Sequence, residues 1–254
     1  MLHHMGWLRR ERARVSREAI EATLRRNVGL SKRLPADLRE RMIELTDALL
    51  REKTWEGVGL DLTDDMRITV AANAAVPILA HDTYAYRQVK AILVRRSSAL
   101  SQAVRSGPVA GTFTDDPVHL VGEATPNTGP VVVAWDTAVY ESRHPHRGAN
   151  VVIHEFAHKI DMADGYADGV PPLRGEALDR WVEVLDDEYR RVGARESDEV
   201  LRDYAWTSPA EFFAVSTEVF FCRPTELAAA KPVLYERLSE LYALDPAGWA
   251  PAEG

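Results

Sequence analysis

The 254-residue sequence predicts an α+β fold, mostly helical with a small mixed sheet. Three observations carry this. Apolar residues recur at helical spacing in both halves of the chain, and two short β-branched runs sit between turn residues in the middle. The order of helices, sheet, helices also lacks the regular strand and helix alternation of a parallel α/β fold. At 46% hydrophobic and 28% charged residues the composition is that of an ordinary globular protein able to bury a full core. Without a linker or repeat, residues 1–254 read as a single domain with an N-terminal helical extension over about 1–54.

Residues 16–53 read as helical, broken near Leu34-Pro35, with Leu38, Met42, Leu45 and Leu49 on one stripe. Thr63 and two aspartates open an alanine-rich buried helix over 63–80 that kinks or ends near Pro77. VKAILV (89–94) and GPVVVAW (129–135) read as buried strands, the second a candidate edge strand for holding a peptide. The Gly-, Pro-, Asp- and Thr-rich stretch between them reads as hairpins and loops. Helices follow over 150–162, 175–192, 208–221 and 225–242, with 165–175 as the best flexible loop.

A net charge of −8 argues against a general nucleic-acid or anionic-membrane surface, so no direct nucleic-acid or membrane partner is expected. Arginines crowd the first 26 residues, but Glu11, Glu18 and Glu21 interrupt any signal-peptide apolar stretch. No run approaches the length of a membrane span. The expected location is the cytoplasm. The lone Cys222, in VFFCRP, agrees and reads as an inert packing thiol.

VVIHEFAHKID (151–161) places two histidines and a glutamate in an otherwise apolar helix, where each polar group needs a partner. His154 and His158, four residues apart, lie about 40° apart around a helix and can bind one cation. Glu155 is turned about 100° from His154, near enough to touch a water on that cation without ligating it. These residue types at this spacing point to zinc-dependent hydrolysis of a carbonyl compound, with the glutamate as general base. One Zn2+ per chain is the expected cofactor and a peptide the expected substrate.

Catalytic zinc usually takes three protein ligands. Asp164, six residues after His158, is a local candidate, but the sharp turn it needs would fall on Asp161 rather than on a glycine. The remote candidate is Glu211, in the apolar helix SPAEFFAVSTEVFF, which shares a face with Glu218. Two buried helices whose acids and histidines need partners are satisfied together if they face one metal. Ser208-Pro209-Ala210-Glu211 is also a capping box, an innocent reading of that glutamate. Glu218 suits a hydrogen bond to a ligand histidine, and Asp161 either that role or a solvated place near the helix end. Tyr204, seven residues before Glu211, is either an oxyanion donor or a packing tyrosine. His144 and His146, just before the helix, either approach the metal or sit in a solvated loop.

HEFAHKIDMADG, followed by Tyr204, SPAEFF and TEVFF, resembles the Mlc titration factor A family of bacterial zinc-dependent peptidases. The likeness runs over about 55–242, including RITVAANAA and VVVAWD, and extends more distantly to the catalytic domain of anthrax lethal factor. It implies a zincin-like metallopeptidase domain of the gluzincin type with aminopeptidase-like activity. By position, His154, His158 and Glu211 would be the metal ligands, Glu155 the general base and Tyr204 the oxyanion donor. For enterobacterial members the resemblance also implies binding to the glucose repressor Mlc. A second class of function therefore stands beside the enzyme: a regulatory protein that sequesters a transcription repressor, its zinc site secondary.

Overall fold

The computed structural model describes residues 14–97, 129–192 and 198–249. Ser16 starts α1 (Arg17–Asn27) by accepting the Ala19 N–H, and Pro35 stands ahead of α2 (Ala36–Glu52). Thr63 caps α3 (Asp64–Ala75), and Pro77 turns the chain into one 3-10 turn, Val76–Ile78. Every residue of α3 from Arg67 to Ala75 is buried, so beyond its exposed first turn this helix has no solvent face. It lies against α1, α2, α4 (Trp135–Arg143) and α5 (Val151–Asp161). The described part of the expected N-terminal extension, from residue 14 on, is therefore packed onto the centre, and Leu24, Met42 and Leu49 belong to the same apolar core as Phe156 and Phe213.

Three strands, β1 (Thr54–Val58), β2 (Ala91–Arg95) and β3 (Val131–Ala134), form a sheet in that order. Trp55 pairs with Ile92, and Ile92 with Val131. All three described strands are parallel, where the sequence suggests a mixed sheet; the segment read as hairpins and loops falls mostly in 98–128, outside the described residues. Parallel neighbours need a crossover, and α3 supplies the one between β1 and β2. Ile92, Val94, Val131 and Val133 point into the core, while Val132 faces out, and α5 lies against β3.

The C-terminal part is helical: α6 (Glu176–Val192), α7 (Pro209–Cys222), α8 (Pro224–Ala230) and α9 (Pro232–Tyr242). The expected single helix over 225–242 is two, because Pro232 cannot continue α8 and starts α9 instead. Likewise Trp135 opens α4 rather than ending a strand. Helix α7 is buried on every side from Glu211 to Cys222 and packs along α5. That pairing brings the two apolar helices with polar inserts face to face.

Candidate metal centre

Asn150 opens α5, its side chain accepting the Ile153 N–H at 3.2 Å, and this sets the helix phase that turns His154 and His158 toward α7. Ser208 opens α7 in the same way, accepting the Glu211 N–H at 3.2 Å, with Pro209 at the first helical position. So half of the capping box forms. The Glu211 carboxylate goes to the histidines: Oε2 lies 3.0 Å from His154 Nε2 and 3.5 Å from His158 Nε2. The two Nε2 atoms are 3.1 Å apart.

These separations decide what the trio suits. Ligand bonds of about 2.0–2.1 Å at tetrahedral angles place donor atoms about 3.3 Å apart, the spacing found here. Glu211 Oε2 is buried and has no well-aligned hydrogen bond among the described residues, as expected of an oxygen aimed at an ion. His154, His158 and Glu211 are all under 10% exposed, and among the described residues they form a cluster able to hold a metal ion.

Electrostatics say the same. Burial would raise Glu211, but His154 and His158 outweigh it and hold the carboxyl well below its usual range. Burial pulls His154 down too, yet Glu218 and Glu211 more than reverse it, up to about 10, whereas burial keeps His158 low. The pocket favours one positive charge among its donors, which a divalent cation can supply in place of a proton.

Behind the trio, Glu218 is 1% exposed; its Oε1 accepts from His154 Nδ1 at 2.7 Å and from Arg202 Nη2 at 2.6 Å, and its Oε2 from the Asn150 N–H at 2.6 Å. The His154 bond fixes which imidazole nitrogen is left for the cluster. Glu141 takes the next N–H of α5, that of Val151, at 2.6 Å; burial, with help from Glu218, pushes its pKa up to about 7. Arg202 and Glu141 escaped the sequence reading: an arginine two residues before Tyr204 and a glutamate in an unrecognised helix carry no motif.

Glu155 is half-buried on α5 beside His154. Tyr204 lies in the 3-10 turn Asp203–Trp206, with its ring centroid 6.1 Å from that of His154 and the Arg202 guanidinium 5.9 Å from its own. Asp164 is exposed, accepts the Tyr166 N–H and stays outside the cluster. Asp161 neither reaches a histidine nor meets solvent: it is fully buried and accepts the Gly169 N–H at 3.1 Å. His144 hydrogen-bonds the Tyr140 carbonyl through Nδ1 and packs near His146, also outside the cluster. Among the described residues no helix is long and apolar enough to cross a membrane.

A buried His-His-Glu set joined across two packed helices, with a further glutamate beside it, has the donors of a metallopeptidase. The chain belongs to the glucose-regulated metallo-peptidase M90 family, whose profile matches residues 5–243. It is 32% identical to a Mlc titration factor A of Serratia proteamaculans over 231 residues, covering 84% of this chain and 83% of that protein. A Mlc titration factor A of Yersinia pestis is 28% identical over 236 residues, 87% of this chain and 83% of its own. An uncharacterised Synechocystis protein is 31% identical over 213 residues, 82% of this chain and 77% of its own. The resemblance to the Mlc titration factor A family read from the motifs is thus borne out.

Proposed function

We propose that this chain is a cytoplasmic zinc-dependent peptidase of the gluzincin type, aminopeptidase-like, with His154, His158 and Glu211 as ligands. The observation that carries the reading is the triangle of donor atoms 3.0–3.5 Å apart in a buried pocket, with Glu155 next along the helix. Zinc bound there supplies Lewis acidity toward the substrate carbonyl and makes a water acidic near neutral pH.

The chain's own residues do the rest. Glu155 takes the proton of the attacking water as its oxygen bonds to the carbonyl carbon, and returns it to the amine nitrogen as the C–N bond breaks. Tyr204 donates its hydroxyl hydrogen to the carbonyl oxygen as negative charge develops there. Glu218 holds His154 in the tautomer that leaves Nε2 for the ion. The lone, buried Cys222 suits a reducing compartment.

The test is Glu155→Gln with an alanine nitroanilide and short peptides. Zinc content should match wild type, while hydrolysis falls at least about 100-fold. An unchanged rate would sink the mechanism.

A second reading has one observation behind it: relatives carry the name Mlc titration factor A. A transcription repressor of that type is the partner this reading implies. The inactive Glu155→Gln variant, used as bait against that repressor, separates binding from turnover.

A further inference from the structure

A line of buried polar side chains runs through the apolar core to Asn150, whose backbone N–H meets Glu218, the partner of His154. Asn27 in α1, Thr69 and Asn73 in α3, Ser142 in α4 and Asn150 before α5 are each at most 2% exposed. Asn150 Nδ2 donates to Asn73 Oδ1 at 2.8 Å, and Asn73 Nδ2 donates to Ser142 Oγ at 2.8 Å and to the Thr69 carbonyl at 2.8 Å. Ser142 Oγ donates to the Asn27 carbonyl at 2.7 Å, and Asn27 Nδ2 to Thr69 Oγ1 at 3.0 Å. Every polar side-chain atom in the line has a partner, so the core tolerates it.

Its end explains why it is polar at all. Asn150 does three things at once: its Oδ1 caps α5, its Nδ2 is held by Asn73, and its backbone N–H points at Glu218 Oε2. Serine, threonine or aspartate would cap the helix as well. An amide accepts from Ile153 with one atom and donates to Asn73 with another, whereas a hydroxyl has a single oxygen on a shorter side chain to serve both. Aspartate would also put a third carboxylate beside Glu218 and Glu141. The Asn73 bond stops rotation of Asn150, and the Asn150 N–H in turn sets the plane of the Glu218 carboxylate that grips His154 Nδ1.

We propose that Asn150 and Asn73 are positioning residues for His154, acting through Glu218 to fix how its imidazole faces the metal. This rests on the metal-site reading above. Neither residue touches the ion, so the effect belongs to metal affinity and ligand-field geometry as much as to turnover.

The test compares wild type, Asn150→Ser, Asn73→Ala and the double variant by zinc affinity in chelator competition and by the visible spectrum of the cobalt-loaded protein. Metal-free melting is recorded alongside. Asn150→Ser keeps a helix cap and loses the link to Asn73, so its zinc Kd should rise about 10-fold with a shifted cobalt spectrum. Asn73→Ala should do the same, and the double variant should be little worse than either, because both cut one link. A purely packing role lowers the melting temperature while leaving Kd and spectrum at wild-type values, and that result overturns the proposal. If Asn73→Ala fails to fold, Asn150→Ser alone decides. A wild type that binds no zinc defeats the metal reading itself; tight wild-type binding matched by both single variants defeats only the positioning role.

Discussion

Glu218 and His154, 64 residues apart in the chain, meet in the core at 2.7 Å, with the carboxylate accepting the Nδ1 hydrogen. The same carboxylate also accepts from the Asn150 N–H and from Arg202, so both its oxygens receive hydrogen bonds. An amide cannot reproduce this, since one of its two ends must donate. Glu218→Gln is expected to fold, to leave one buried donor facing another, and to bind zinc about 10- to 100-fold more weakly in chelator competition.

The choice of third ligand is tested by metal content. Glu211→Ala should lose zinc on dialysis, and Asp164→Ala should retain it, because Asp164 lies outside the cluster. Elemental analysis with circular dichroism as a folding control reads both. Retention in Glu211→Ala with loss in Asp164→Ala would reverse the assignment.

Gly169 ties the loop after α5 to the start of α7. Its N–H goes to Asp161, its carbonyl accepts from Trp181 Nε1 at 2.8 Å, and it sits at φ +74°. A Cβ there would lie 2.1 Å from the Pro209 carbonyl oxygen, two residues before Glu211. Gly169→Ala should therefore cost at least about 2 kcal/mol in urea unfolding, from the left-handed backbone and the collision together. Because the collision falls on the first turn of α7, zinc affinity should fall with stability.

Asp161 gives the protein a pH dependence of a definite sign. Burial lifts its pKa to about 7, against about 3.9 in an unfolded chain. Between these values the native state binds the extra proton, so this group's contribution to stability falls as pH rises from about 4 to 7. Asp161→Asn cannot ionise. Its melting temperature relative to wild type should climb across that window, with about 4 kcal/mol as the ceiling. A constant difference between the two proteins would show that Asp161 does not titrate there.

Much of the centre could be read from residue order because its signals are local. HEFAH carries its own helix phase, and Ser208-Pro209 announces the start of α7 next to Glu211. The strand over Val131–Ala134 showed itself by β-branching. What escaped depends on distant partners. Strand β1, TWEGV, is exposed at every second residue and holds a glycine, so only pairing with β2 makes it a strand. Helix α4 hides behind a β-branched run. Asp161 reads as a partner for a ligand histidine or a solvated helix-end acid, and its burial under Gly169 depends on the return of a loop that carries no local signal. Arg202 and Glu141 have no spacing signal, since their roles arise from the meeting of α4, α5 and α7.

The His-His-Glu set is divided along the chain, with two donors on α5 and the third 53 residues beyond His158. An unfolded chain offers the imidazole pair but no carboxylate in register, so a divalent ion discriminates strongly between folded and unfolded molecules. Metal uptake at this site would therefore require α7 to be docked on α5. For a divalent ion held there, each tenfold of free ion above the dissociation constant would add about 1.4 kcal/mol to the native state, so stability would follow the free metal concentration.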